Sequence, residues 1–172
     1  MAELFAVTVV GEDRPGIVAG VTRALYEGGC NLEDVTSTIL RGHFSMVMIV
    51  NAADVSEESL GAALRAAAEE LGIAVTVKAV SDVHGHHAPP THMVSVYGGD
   101  RPGIVFRVAD FLAGKGANIT DLTSRVLGPD DAPVYALMLE VALDLAVEDE
   151  LRALGAELGV DVTVHPLDAD VL

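Results

Sequence analysis

The sequence predicts an α+β fold made of two βαββαβ units, each a four-stranded antiparallel sheet with two helices on one face. Three observations support it. The segment DRPGIV occurs twice, at Asp13-Arg14-Pro15-Gly16-Ile17-Val18 and, 87 residues later, at Asp100-Arg101-Pro102-Gly103-Ile104-Val105. At that offset, Val9–Leu40 and Val96–Leu127 share 16 identities in 32 positions. Each half then passes through the same order of hydrophobic periods. A period this long, present only twice, marks a duplicated domain rather than a solenoid.

In the first half, Leu4 to Val10 is a short Val-rich run closed by Gly11, which predicts a buried strand. Pro15 suits a helix start, where its missing N–H costs nothing. Val18, Val21 and Leu25 follow at helical spacing, and Gly28-Gly29 ends the helix. Asn31 to Leu40 is rich in Thr, Val and Ile and predicts a second strand. Arg41-Gly42 makes a tight turn into a third, Phe44 to Val50. Ser56 caps a second helix marked by Leu60, Leu64, Ala67 and Leu71, with Glu57 and Glu58 in its first turn. After Gly72, Ala74 to Val80 is a fourth strand.

The second half repeats the series. Met93 to Tyr97 is a strand, Pro102 to Lys115 a helix, and Ile119 to Leu127 and Val134 to Leu143 are strands. Leu151, Leu154 and Leu158 mark a helix, and Asp161 to His165 the last strand. The order is that of the ferredoxin-like arrangement. The expected domains are residues 1–80 and 92–172. Residues 81–91, rich in Pro, Gly and His without periodicity, form the linker. Its His84, His86 and His87, with His92 beyond, lack the fixed element that a metal site needs, so no metal and no cofactor is expected.

The net charge of −16, from 26 acidic and 10 basic residues, argues against direct contact with nucleic acid or an anionic membrane, since both demand Lys and Arg. Cys30 is the only cysteine, which excludes an intramolecular disulfide and suits a small packing residue. No apolar run reaches the length of a membrane helix. Glu3 precedes only a short apolar run, which does not resemble a signal peptide. A cytoplasmic location is the expectation.

Chemistry concentrates at the repeated turn. A strand leading into a helix presents free N–H groups and a positive dipole end, suited to a carboxylate. Gly16 and Gly103 lack a Cβ, which admits a ligand or a second backbone. Asp13 and Asp100 are placed to cap the helix. Arg14 and Arg101 either reach a carboxylate or face solvent. Asn31 and Asn118, just after the first helix of each half, offer an amide that both donates and accepts. The same residues also suit an ordinary turn and an ordinary helix exit. No Ser-His-Asp set, nucleophile elbow, phosphate loop or Cys/His metal set is present, so the chain is expected not to be an enzyme.

The D-R-P-G-I-V turn, the amphipathic helix, the G-(C/A)-N-(L/I) exit and the βαββαβ order together closely resemble the ACT domain, over nearly the whole chain. Two such domains without an attached enzyme resemble the glycine cleavage system transcriptional repressor group. The resemblance implies binding of a small amino acid, of the glycine or serine type, at domain–domain interfaces. The implied ligand-binding residues are Asp13, Arg14, Pro15, Gly16, Ile17, Val18 and Asn31, with Asp100, Arg101, Pro102, Gly103, Ile104, Val105 and Asn118 in the second half. It also implies regulation through a protein partner such as a transcription regulator, without touching DNA. A ligand-free interaction module is the alternative. Free sheet edges favour a homo-oligomer, the halves pairing within or between chains. The halves differ where Ala19-Gly20 becomes Phe106-Arg107 and Thr38 becomes Arg125, so their two sites need not be equivalent.

Overall fold

The computed structural model describes residues 2–53, 55–81, 88–129, 131, 133–144 and 146–167. The chain divides into two compact units, Met1–Gly85 and His86–Leu172. Most of the expected linker, including His84, His86 and His87, lies outside the described residues.

The first unit runs β1 (Ala2–Glu12), α1 (Ile17–Glu27), β2 (Asn31–Leu40), β3 (His43–Ala53), α2 (Glu57–Leu71) and β4 (Ile73–Val80). Its sheet has the order β2-β3-β1-β4, and every pairing is antiparallel. Alternation along β1 buries Phe5, Val7 and Val9 on one face of the sheet, and β3 adds Met46, Met48 and Val50. Register places Val7 beside Met48 on one side and Val77 on the other. Both helices close over this face with Ile17, Val21 and Leu25 of α1 and Leu60 and Leu64 of α2. Each large side chain so buried stabilises the fold by about 1.5–3 kcal/mol. Ser56 caps α2 by accepting a 3.2 Å hydrogen bond from the Ser59 N–H, with Glu57 and Glu58 in the first turn. Arg41 and Gly42 form the two-residue loop between β2 and β3, both at positive φ.

The second unit repeats the plan: β5 (His92–Gly98), α3 (Ile104–Gly114), β6 (Asn118–Leu127), β7 (Val134–Ala142), α4 (Glu148–Leu158) and β8 (Val160–Pro166). Its sheet order is β6-β7-β5-β8, again antiparallel throughout. Val94 and Val96 pack with Leu137, Leu139 and Val141 beneath Val108, Leu112 and Leu151. The fold is thus the expected pair of βαββαβ units.

The edge strands carry two features that alternation alone does not predict. All ten residues of β2 are exposed, including Val35 and Ile39. Both β2 and β6 also bulge at the same offset, their register shifting between Leu32 and Asp34 and between Ile119 and Asp121. A bulge near a strand's start interrupts an edge that would otherwise template pairing.

The duplicated Gly11 and Gly98 have a packing cause. Gly11 lies beside Ile73, and Gly98 beside Val160, at the first residues of β4 and β8. A Cβ on Gly11 would sit 2.5 Å from Ile73 Cγ2 and 3.3 Å from its Cα; on Gly98 it would sit 2.7 Å from Val160 Cγ1 and 3.1 Å from its Cα. The partners are β-branched and held by the ladder, so they have little room to yield. Gly11→Ala is therefore predicted to destabilise the first unit by about 1–3 kcal/mol. Urea unfolding checks this, and an unchanged midpoint would contradict it.

Candidate functional site

Each repeated turn is a left-handed glycine that launches a helix. Gly16 has φ 98° and ψ −12°, and Gly103 has φ 94° and ψ −5°. With proline before it, this is the third-residue geometry of a type II turn, where a Cβ is penalised. Nothing lies within 4 Å of the position a Cβ would take on either glycine. The glycine is therefore required by its backbone angle. The close approach of a second group, expected from its bareness, is not present within either unit.

Two further expectations change. Pro15 and Pro102 belong to the turn, and the helices begin at Ile17 and Ile104, not at proline. Asp13 and Asp100 do not cap them: neither N-terminus has a side-chain cap. The backbone N–H of Asp13 instead donates to the Gly42 carbonyl at 2.8 Å, tying the turn to the hairpin loop. The first helical bond of α1 runs from the Gly20 N–H to the Gly16 carbonyl. The N–H groups of Ile17, Val18 and Ala19 are left without helical acceptors.

Those free groups border an open depression of about 480 Å³, lined by Asp13, Arg14, Pro15, Gly16, Ile17, Val18, Ala19, Ile39 and Phe44. Six of the seven residues expected of the first site thus lie together. The seventh does not join them. Asn31 starts β2 at the far end of α1, opposite Asn51, and an eleven-residue helix separates the two ends by roughly 16 Å. The second unit has the same layout, with Asn118 opposite Ala142 at the start of β6. Sequence reasoning missed Ile39 and Phe44 as wall residues. They are cross-strand partners of the β2–β3 hairpin, and only the folded register brings them to the turn.

The arginines have a partner within the fold. Arg14 Nη2 reaches the Glu70 carbonyl at 3.5 Å, and Arg101 Nη1 reaches the Leu158 carbonyl at 3.4 Å. Both carbonyls belong to the last turn of the unit's second helix, where unpaired acceptors and the negative dipole end favour a cation. Neither α2 nor α4 has a basic residue of its own there. Arginine therefore links the turn to the second helix in both repeats, a third role beside ligand contact and solvent exposure.

Cys30 is half-buried against the first core, its Sγ 3.7 Å from the Gly28 carbonyl. Burial pushes its thiol up from the ordinary range, because a thiolate loses hydration there. Among the described residues, no group of three His, Cys, Asp or Glu side chains is placed to hold a metal ion. No helix of the described residues is long and apolar enough to cross a membrane.

Residues 3–78 and residues 92–159 each match the ACT domain family. The chain belongs to the ACT-domain family. Among its relatives, a UPF0237 protein of Methanopyrus kandleri is 51% identical over 74 residues, covering 42% of this chain and 82% of that one. The glycine cleavage system transcriptional repressor of Escherichia coli is 25% identical over 166 residues, covering 92% of this chain and 87% of its own. The crystal structure of an unknown protein from Galdieria sulphuraria superposes with a TM-score of 0.79 at 28% identity, covering 98% of this chain and 100% of that one. The chain is thus a tandem ACT-domain protein related along nearly its whole length to a repressor.

Two outcomes follow from these contacts. Arg14→Gln removes the charge at the end of α2 and is expected to lower stability by about 0.3–1 kcal/mol with no amino acid present. A thermal midpoint unchanged in ligand-free buffer would leave Arg14 without this structural role. Because burial raises the folded-state pKa of Cys30, the buried thiol contributes stability below the unfolded-state pKa, and this is lost as pH rises through the folded-state value. Alkylation by iodoacetamide at mildly alkaline pH is expected to be slower in the native protein than in the urea-unfolded chain. Equal rates would contradict the shift.

Proposed function

We propose that this protein is a non-catalytic regulator that senses a small amino acid, of the glycine or serine type, and acts on a protein partner in the transcriptional control of amino-acid metabolism. The observation that supports this most is the depression at the first DRPGIV turn. It pairs unclaimed helix N–H groups, suited to a carboxylate, with Asp13, whose opposite charge suits an ammonium. The similarity to a glycine cleavage system transcriptional repressor over 92% of the chain supports the transcriptional setting. Asn31 and Asn118 belong to the proposed ligand site only where a second ACT domain, of the same chain or of another, completes it, because α1 and α3 hold them away from their own turns. The charge of −16 suits a protein partner better than DNA, and the proposed location is the cytoplasm.

The exposed edge strand β2 favours a second reading, a ligand-free module that docks through its sheet edge. The two readings part in one experiment. Calorimetric titration of the pure protein with the common amino acids is expected to show saturable heat for glycine or serine. Capture of its partner from extract is expected to change when that amino acid is added. No heat from any amino acid, with partner capture indifferent to them, overturns the sensor reading in favour of the module.

A further inference from the structure

The two repeats share a backbone plan but differ in the walls of the turn. The first depression is built by two strands as well as by the helix: Ile39 of β2 and Phe44 of β3 face the first turn of α1. The register of the second hairpin identifies the counterparts. Ile39 pairs with Phe44, and Val126 pairs with Tyr135. Isoleucine to valine and phenylalanine to tyrosine are small changes of volume. The DRPGIV residues are identical, and Gly103 keeps the angle of Gly16. Only Ala19 changes in kind, to Phe106.

Phe106 is 66% exposed, so its ring is not drawn into the core of the second unit. It rises from the position at which Ala19 walls the first depression, with Val105 beside it. The neighbouring change, Gly20 to Arg107, leads elsewhere. Gly20 packs against Leu71, whereas Arg107 Nη2 turns to Glu157 Oε2 at 3.2 Å, an ion pair with α4. Phe106 is therefore the residue that alters the mouth of the second turn. Helical side chains lean toward the N-terminus of their helix, so a benzyl group in the first turn is set on the side of the N–H groups that a ligand carboxylate must approach, and it offers no polar group in exchange.

We infer that the two ACT domains are unequal: the Ala19 turn accepts the amino acid, and Phe106 closes the equivalent turn, leaving one working site per chain. This rests on the sensor reading above and adds the residue that decides which repeat works. Ala19 and Phe106 are both exposed, so exchanging them leaves the cores intact, and circular dichroism of each variant serves as the control.

Isothermal titration with glycine and with L-serine tests the inference. The wild-type chain is expected to bind one equivalent. Ala19→Phe is expected to weaken binding by roughly tenfold or more, as forced overpacking of a site does. Phe106→Ala is expected to raise the stoichiometry to two. Two equivalent sites in the wild type, or Ala19→Phe binding as tightly as the wild type, overturns the inequality and leaves the sensor reading standing. Absence of binding in the wild type and in Phe106→Ala overturns both.

Discussion

The left-handed glycine between β1 and α1, and its copy between β5 and α3, is the constraint on which each unit depends. A residue with a Cβ is strained at φ near 95°, and without that angle the chain does not turn from the central strand into a helix lying across the sheet. Ile17 then faces the core one residue later and is 2% exposed. The same turn leaves the first helical N–H groups pointing outward without a cap. One backbone angle thus serves both the packing of the helix and the availability of its positive end.

Arginine extends the influence of the turn. By reaching the last carbonyls of the second helix, Arg14 and Arg101 connect the start of one helix to the finish of the other. Exposed contacts of this length are individually weak. Their value is positional, because the loop that borders the depression and the helix behind it are held by one side chain. A ligand drawing Arg14 toward its own carboxylate would release α2's terminal carbonyls to solvent. In the sensor reading proposed above, such competition would couple occupancy to a helix end.

Much of the fold was legible because the two periods, two for strands and near four for helices, repeat in the same order in both halves. The capping Ser56 and the turn at Arg41-Gly42 were equally readable, since each acts through neighbours in sequence. The helices start two residues beyond the prolines. Proline alone suits the first helical position, whereas proline followed by a positive-φ glycine makes a type II turn, and the glycine decides between them. Asp13 does not cap because the helix begins at Ile17 with Gly16 in the cap position, three residues beyond it. The wall residues Ile39 and Phe44, and the partner of Arg14, depend on contacts between distant segments, which no local pattern encodes. The resemblance gives Asn31 and the turn to one ligand site, and the length of α1 sets the two at opposite ends of that helix.

The bulge on each edge strand has a consequence for assembly. Leu32 and Asp34 face consecutive residues of β3, Val50 and Ile49, so Glu33 is an extra residue in the ladder. The insertion resets which side of the sheet the strand's first residues address, and Asn31 comes to lie on the side opposite to the one an uninterrupted alternation would give it. It also works as a stop. An added strand finds regularly spaced donors and acceptors along Asp34–Leu40 and loses step beyond. The irregularity thereby sets the length of any edge-to-edge seam, and Asn31 lies beyond its end.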